Sequence, residues 1–260
     1  ASMYDEKMIK FVYGEPALIV QSKKEMALVI GDLHIGMELK LLSSGIRMYG
    51  ESEKMANKII ELMQSFGLST LVIAGDLKNS ILYPEKSEAM YIKNFFNLLS
   101  NYKMVLVKGN HDSRINEIID IETANEYAIG NTAIIHGHEW PSEECMSKEY
   151  LITAHNHVSI SLQDSNGAIY LKKIWVVAKP NAKACKGLYP NFNAKIKQIM
   201  LPAFNEFITG SPASSLLGKG RNISPIVTNR IFDYKHALAY TLESDLIGEL
   251  GSIKNSEARP

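Results

Sequence analysis

The sequence has few cysteines and no long apolar run. Its two cysteines, Cys145 and Cys185, lie forty positions apart and form no Cys-x-x-Cys pair. This spacing argues against a disulfide framework and a zinc finger, and it favours a cytoplasmic location. No apolar run approaches the roughly 18 residues that a membrane-spanning helix requires, so we expect no membrane association.

The chain also lacks an excess of charge of either sign, because 28 basic side chains balance 28 acidic ones. Its length allows one large domain, which we expect over residues 1–250, with 251–260 as a tail. Acidic residues are missing from residues 165–205, which hold the lysines at positions 172, 173, 179, 183, 186, 195 and 197. Such a run usually forms a solvated surface, and contact with a polyanion is the alternative.

Short apolar runs that end in polar residues recur along the chain. The pattern predicts strands at residues 17–20, 27–30, 71–74, 104–107, 127–129, 132–135, 151–154, 158–162, 168–177, 196–201, 225–228 and 237–242. It predicts helices from Ser52, the expected N-cap, to Gly67, from about Pro84 or Ser87 to Ser100, and from Ser142 to Tyr150. Residues 36–50 suit a loop or short helix, and residues 179–193 a loop. Strands alternating with helices indicate an α/β sheet.

Five strand endings carry side chains that bind metals or move protons. They hold Asp32 and His34, Asp76, Asn110 and His111, His136 and His138, and His155 and His157, which include six of the seven histidines. Ligands of α/β sheets bind outside the carboxyl ends of the strands. A lone histidine there is usually structural, but burying so many polar groups together requires a compensating charge.

Imidazole, carboxylate and amide groups together suit manganese, iron, zinc, cobalt or nickel better than calcium. The donors are too numerous for one tetrahedral zinc. Two ions roughly 3.5 to 4 Å apart and sharing a carboxylate would use them all, and that arrangement suits in-line displacement at phosphorus.

The order Asp-x-His, Gly-Asp, Gly-Asn-His-Asp, His-Gly-His and His-x-His, over residues 32–157, resembles the calcineurin-like metallophosphoesterase superfamily. The phrase at residues 201–205, Leu-Pro-Ala-Phe-Asn, with Thr209 and Gly210, is similar to a prokaryotic subgroup. Its bacterial members are often called DNA ligase-associated metallophosphoesterases, and its archaeal members are similar phosphoesterases. The resemblance implies a four-layer α/β/β/α sandwich and hydrolysis of a phosphoester, with a phosphodiester favoured.

The resemblance also implies a role for each residue. Asp32, His34 and His157 would hold one ion, and Asn110, His136 and His155 the other. Asp76 would bridge two divalent ions, manganese being favoured, and a water between them would be the nucleophile. His111 would protonate the leaving oxygen, and Asp112 would orient His111. The family usually has glycine where this chain has Ala154, a departure from which we expect little effect.

Other roles stay open at this stage. His138 has a substrate contact or a structural role, and Lys78, Arg47 and Arg114 are candidate phosphate contacts whose alternative is an ordinary surface position. The subgroup and the lysine-rich segment suggest nucleic acid or nucleotide substrates and DNA-processing partners. The sequence does not decide whether the chain dimerises. The alternative function is a catalytically silent scaffold for a DNA- or RNA-processing partner, in which ligand positions should have decayed; none has.

Overall fold

The computed structural model describes residues 9–43, 45, 50–163, 166–218 and 224–253. Within these ranges the strands are β1 (Ile9–Phe11), β2 (Leu18–Gln21), β3 (Met26–Ile30), β4 (Thr70–Ile73), β5 (Lys103–Val107), β6 (Glu122–Ala124), β7 (Glu126–Ile129), β8 (Thr132–Ile135), β9 (Tyr150–Thr153), β10 (Val158–Gln163), β11 (Ile169–Lys173), β12 (Trp175–Ala178), β13 (Lys197–Met200), β14 (Ser211–Pro212), β15 (Leu238–Tyr240) and β16 (Leu246–Glu249). The helices are α1 (Met37–Ser43), α2 (Glu51–Ser65), α3 (Lys86–Leu98), α4 (Glu143–Ser147), α5 (Ala182–Leu188) and α6 (Pro225–Thr228). No helix in this part of the chain is long and apolar enough to cross a membrane.

Strands β1 to β6 form the first sheet in sequence order, and β3 to β6 are mutually parallel. Successive residues of its strands point to opposite faces, as a pleated strand requires. In β3, Leu28 and Ile30 pack with α2 and α3, whereas Ala27 and Val29 belong to the core between the sheets. Both faces are therefore apolar, which explains the continuous apolar runs in the sequence.

The second sheet has the strand order β16-β15-β12-β13-β9-β8-β7. Its outer face packs against side chains of α4, α5 and α6, including Met146, Cys185 and Ile226. Its inner face supplies Ile134, Ile152 and Trp175 to the core that it shares with the first sheet. The layers are helix, sheet, sheet and helix, so the expected four-layer sandwich is confirmed.

Several predicted elements differ from those observed. Residues 168–177 form two strands in different sheets, since β11 pairs with β10 and β12 pairs with β13. The expected loop at 179–193 contains α5, whose amino end is capped by the Asn181 side chain accepting from the Ala184 N–H. The expected strand at 225–228 is helix α6, because Pro225 occupies a first helical position, where its missing N–H costs nothing.

The amino end of α2 also differs from the prediction. The helix begins at Glu51 behind Gly50, whose φ of 71° is left-handed, and Ser52 lies buried in the first turn rather than serving as the cap. Residues 37–43, where a loop or short helix was expected, form α1. These corrections concern short local elements and leave the strands that carry the polar endings as predicted.

Parallel strands of both sheets end at one shared edge. In the second sheet, β8, β9 and β13 are parallel, as β3, β4 and β5 are in the first. The edges meet where Nδ1 of His136, after β8, donates to the carbonyl oxygen of Ala74, after β4, at 2.9 Å. The polar endings from two distant parts of the sequence therefore converge on one place.

Candidate metal centre

The polar endings form two groups of potential metal donors. The first contains Asp32, His34, Asp76 and His157, and the second contains Asp76, His136 and His155. Within each group the donor atoms all lie within 4.8 Å of one another. Asp76 belongs to both, so the geometry gives two adjacent donor sets joined by one carboxylate.

The donors occupy unusual backbone conformations. Five have positive φ: Asp32 (57°), His34 (44°), Asp76 (51°), His155 (69°) and His157 (42°). Residues other than glycine adopt this region at a cost of about 1 to 3 kcal/mol each, and such strain persists only where the surroundings enforce it. The strand endings are thus held in conformations that the residues would not adopt alone.

Two glycines allow the strand endings to approach each other. A Cβ atom on Gly75 would overlap the His136 ring, and one on Gly109 would overlap the backbone and carboxylate of Asp76. Gly31 faces Ala154, and a Cβ on Gly31 would lie 3.0 Å from the Ala154 Cβ. Because Gly31 has no side chain, there is room for Ala154 at the position where the family usually has glycine.

Hydrogen bonds fix the donor side chains. The Asp32 carboxylate accepts from the His155 N–H at 3.2 and 3.3 Å, and Asp76 Oδ1 accepts from the His111 N–H at 3.0 Å. Because His136 donates through Nδ1 to Ala74, its Nε2 is the ring nitrogen that faces the donor groups, 3.3 Å from Asp76 Oδ1. A backbone acceptor on the other ring nitrogen is the usual way in which proteins orient a metal-binding histidine.

Several donor atoms are buried without a hydrogen-bond partner among the described residues. They include Nε2 of His34, Oδ1 of Asn110 and Nε2 of His155. A buried polar atom without a partner carries a desolvation cost of roughly 1 to 3 kcal/mol. Cations held by the two donor groups would provide partners for such atoms, so the residues present fit divalent metal ions.

Burial controls the charge of the histidines. It lowers the pKa of His34 to about 4 and that of His155 to about 3, so both rings are neutral at pH 7 and have a lone pair for a metal. Burial opposes charge on His136 too, but the hydrogen bond to Asp76 and the charges of Asp32 and Asp76 raise its pKa to about 9. A cation bound beside His136 would displace that proton.

His111 lies beside the first donor group, with its ring centroid 4.8 Å from that of His34. Its Nδ1 lies 2.6 Å from the Asn79 carbonyl oxygen, to which it donates, and its Nε2 lies 3.9 Å from Asp76 Oδ2. The expectation that Asp112 holds the second ring nitrogen is wrong. Asp112 is buried, and its carboxylate accepts from the backbone N–H groups of Leu77 and Gly109 at 2.9 and 2.8 Å.

Asp112 therefore ties together the loops after β4 and β5. Burial, followed by the nearby charge of Asp76, raises the pKa of Asp112 to about 6. No sequence pattern points to Asn79, because its backbone carbonyl, and not its side chain, holds His111.

Lys78, a candidate phosphate contact, is not a surface residue. It is fully buried, and its ammonium donates to the carbonyl oxygens of Ser80, Ile81 and Leu82. Arg114 is exposed, donates to Glu117 at 2.6 and 2.8 Å, and lies over the Tyr83 ring. Arg47 lies outside the described residues.

His138 borders the second donor group without belonging to it. Its ring centroid is 5.2 Å from that of His136 and 6.1 Å from that of His155. Its Nε2 lies 3.6 Å from Glu139 Oε1. The geometry places His138 at the rim of the centre.

The phrase at residues 201–205 supports the loop that carries Asp32 and His34. The Phe204 N–H donates to the Gly31 carbonyl at 2.9 Å, and the buried Asn205 side chain donates to the Leu33 carbonyl at 2.7 Å. Lys173 in turn donates to the carbonyls of Ala203 and Asn205 at 2.8 and 2.6 Å, and burial lowers its pKa to about 8. Lys173, one of the lysines in the lysine-rich segment, is thus partly buried and bonded to the protein's own backbone.

A four-layer sandwich with Asp and His donors at its shared strand edge defines a metal-dependent phosphoesterase. The profile of the calcineurin-like phosphoesterase family matches residues 27–213, and the chain belongs to that family. The family uses divalent metal ions. The comparison with curated proteins finds no match.

Two solved structures illustrate the likeness. The nuclease MPE of Pseudomonas putida is 17% identical, with a TM-score of 0.54 over 90% of this chain and 97% of that chain. Yfce, a phosphoesterase from E. coli, is 13% identical, with a TM-score of 0.39 over 85% of this chain and 96% of that chain. At such identities the likeness to the nuclease concerns the fold.

Proposed function

We propose that the protein is a phosphodiesterase that uses two divalent metal ions, manganese being the favoured metal. The observation that carries the proposal is the pair of donor groups joined through Asp76, with His111 beside them. Asp32, His34 and His157 would hold one ion, Asn110, His136 and His155 the other, and Asp76 both. Bound ions would neutralise phosphate charge and lower the pKa of a water for attack at phosphorus.

His111 would act on the leaving group. Since its Nδ1 donates to the Asn79 carbonyl, the ring is fixed with Nε2 toward the donor groups. A protonated Nε2 in that position can give its proton to the leaving oxygen. Asp112 contributes indirectly, because it joins the loop that carries Asn79 to the loop that carries His111.

A diester is favoured over a monoester because the two candidate cations among the described residues, Lys78 and Arg114, are committed to protein groups. A phosphomonoester carries more negative charge than a diester and gains more from additional cationic side chains. Of the candidates, however, Lys78 is committed to three carbonyl groups and Arg114 to Glu117. This arrangement supports a substrate with a single phosphate charge.

We further propose that the substrate is a nucleic acid, as the subgroup resemblance suggests. This proposal does not depend on the lysine-rich segment. Lys195 precedes β13, and Lys197 is its first residue. The opposite end of β13 pairs with Thr153, which is two residues before His155. Lys179 follows β12, which is antiparallel to β13, and so lies at that same far end. Replacing Lys183 and Lys186 of α5 with glutamine should change diester turnover less than twofold, since solvated charges away from the metals contribute little. A loss of tenfold or more at low salt would show that the segment binds substrate.

Hydrolysis of bis-p-nitrophenyl phosphate and p-nitrophenyl phosphate by the manganese-loaded protein tests the reaction. We expect turnover of the diester to exceed that of the monoester. If neither is hydrolysed after metal supplementation, the scaffold alternative is favoured.

The His111→Ala variant tests the acid. It should slow a diester with an alkyl alcohol leaving group by about 10² to 10⁴-fold, but bis-p-nitrophenyl phosphate far less, because p-nitrophenolate leaves without a proton. His236→Ala is the matched control, since His236 is exposed and pairs with Asp233 at 2.8 Å. Equal losses for both leaving groups would contradict the acid role.

A further inference from the structure

Two cavities beside the metal centre share a border. One has a volume of about 370 Å³ and the other about 680 Å³, and His138, Glu139 and Trp140 line both. We call these two cavities with their shared border the Trp140 cleft. Both volumes fall within the range of roughly 300 to 1,000 Å³ that is typical of small-molecule sites.

The cleft reaches the proposed metal ligands. His136 lines the smaller cavity and belongs to the second donor group. A phosphate held at the donor groups would therefore lie beside the cleft, with the cleft within reach of a substituent.

The border of the cleft presents an aromatic face and a carboxylate. Trp140 is 45% exposed, an unusual state for so large an apolar side chain, and the Glu139 side chain is 71% exposed. Glu126 lines the smaller cavity as well, whereas no lysine or arginine is among the described residues that line either cavity. A second phosphate would be repelled here, while a flat group with N–H donors would find both a stacking partner and an acceptor.

We propose that the Trp140 cleft binds the nucleoside substituent of the phosphodiester, with an amino-bearing base stacked on Trp140 and facing Glu139. This inference rests on the proposed function and narrows it: the substrate carries a single nucleoside next to the reacting phosphate, with no further phosphate on the cleft side. Asn125 and Asn229 line the cleft and offer amide groups to the sugar or base. Trp140 thereby serves as a specificity residue and takes no part in the chemistry.

The test compares cytidine 5′-monophosphate with ribose 5-phosphate, which lacks the base. Both are used as inhibitors of methyl p-nitrophenyl phosphate hydrolysis by the manganese-loaded full chain. We expect the cytidine compound to bind about tenfold more tightly, Trp140→Ala to remove this preference, and Trp140→Phe to keep most of it, because stacking needs only an aromatic face.

Fluorescence provides a readout without turnover. The chain has two tryptophans, and Trp175 is fully buried. Cytidine 5′-monophosphate should therefore quench the emission of the wild type but not that of Trp140→Phe, in which only Trp175 remains. Equal binding of the two compounds, or a preference that persists in Trp140→Ala, would overturn the inference while leaving the phosphodiesterase proposal intact. Absence of all turnover, with quenching still dependent on Trp140, would instead reject the reaction and support the cleft.

Discussion

The same strands build two regions with opposite properties: the core between the sheets and the metal-binding edge. In the core, Val29, Val72 and Val105 are fully buried within the ladder of β3, β4 and β5. A few residues further along, Asp32 and Asp76 adopt left-handed backbone, and Asn110 leaves a buried oxygen without a partner among the described residues. Burial of apolar side chains stabilises the fold by roughly 25 cal/mol per Å². The core thus holds together an edge that is unfavourable by itself, and this division predicts different outcomes for substitutions in each region.

The largest effect on activity is expected from Asp76→Asn at the edge. The amide keeps the shape of the side chain but loses the charge that both donor groups share. We expect diester turnover to fall by more than about 100-fold, because even residues that only orient metal ligands contribute 10- to 100-fold. Metal content should fall below two ions per chain, and circular dichroism should show an intact fold.

If the Asp76→Asn variant retained full turnover and full metal content, the proposal that Asp76 is shared by both metal sites would be refuted. Loss of the fold would instead show that Asp76 is needed for stability, and this would contradict the division of roles between the edge and the core.

In the core, Leu18→Ala should act on stability alone. Leu18 is fully buried in the layer between the sheets, and removing most of its side chain leaves a cavity. We expect a loss of about 2 to 5 kcal/mol in the free energy of unfolding, measured with denaturant. The diester turnover of the remaining folded protein should be unchanged, and a comparable loss of turnover would contradict the separation of the regions.

A smaller effect on activity is expected from Lys78→Met, which lies between the two regions. Lys78 holds the carbonyls of residues 80–82, and the neighbouring Asn79 carbonyl holds His111. Methionine fills the space without donating, so the loop should shift and turnover should fall about tenfold while metal content is unchanged. Lys54→Met, at a lysine whose side chain is 70% exposed, is the matched control and should have no effect.

The contrast between the regions also explains what the sequence could predict. The apolar runs of β3, β4, β5, β8 and β9 and the polar residues after them were predicted because period and composition are local signals. The role of Asp112 was not, since a side chain that bonds to a backbone group 35 positions away, as Asp112 does with Leu77, leaves no local pattern. The role of Lys78 was not either, because its partners are backbone carbonyls, which every residue type has. The helix at 225–228 was missed because its apolar run is too short to distinguish a strand from a helix.

Asn110 is the proposed metal ligand with the least direct support, a buried oxygen that has no hydrogen-bond partner among the described residues. Manganese stoichiometry and electron paramagnetic resonance of the wild type and of Asn110→Ala test it directly. We predict two ions per chain with a spin-coupled spectrum in the wild type, and one ion with an uncoupled spectrum in Asn110→Ala. One ion in the wild type, or two coupled ions in Asn110→Ala, would contradict the assignment of two metal sites joined by Asp76.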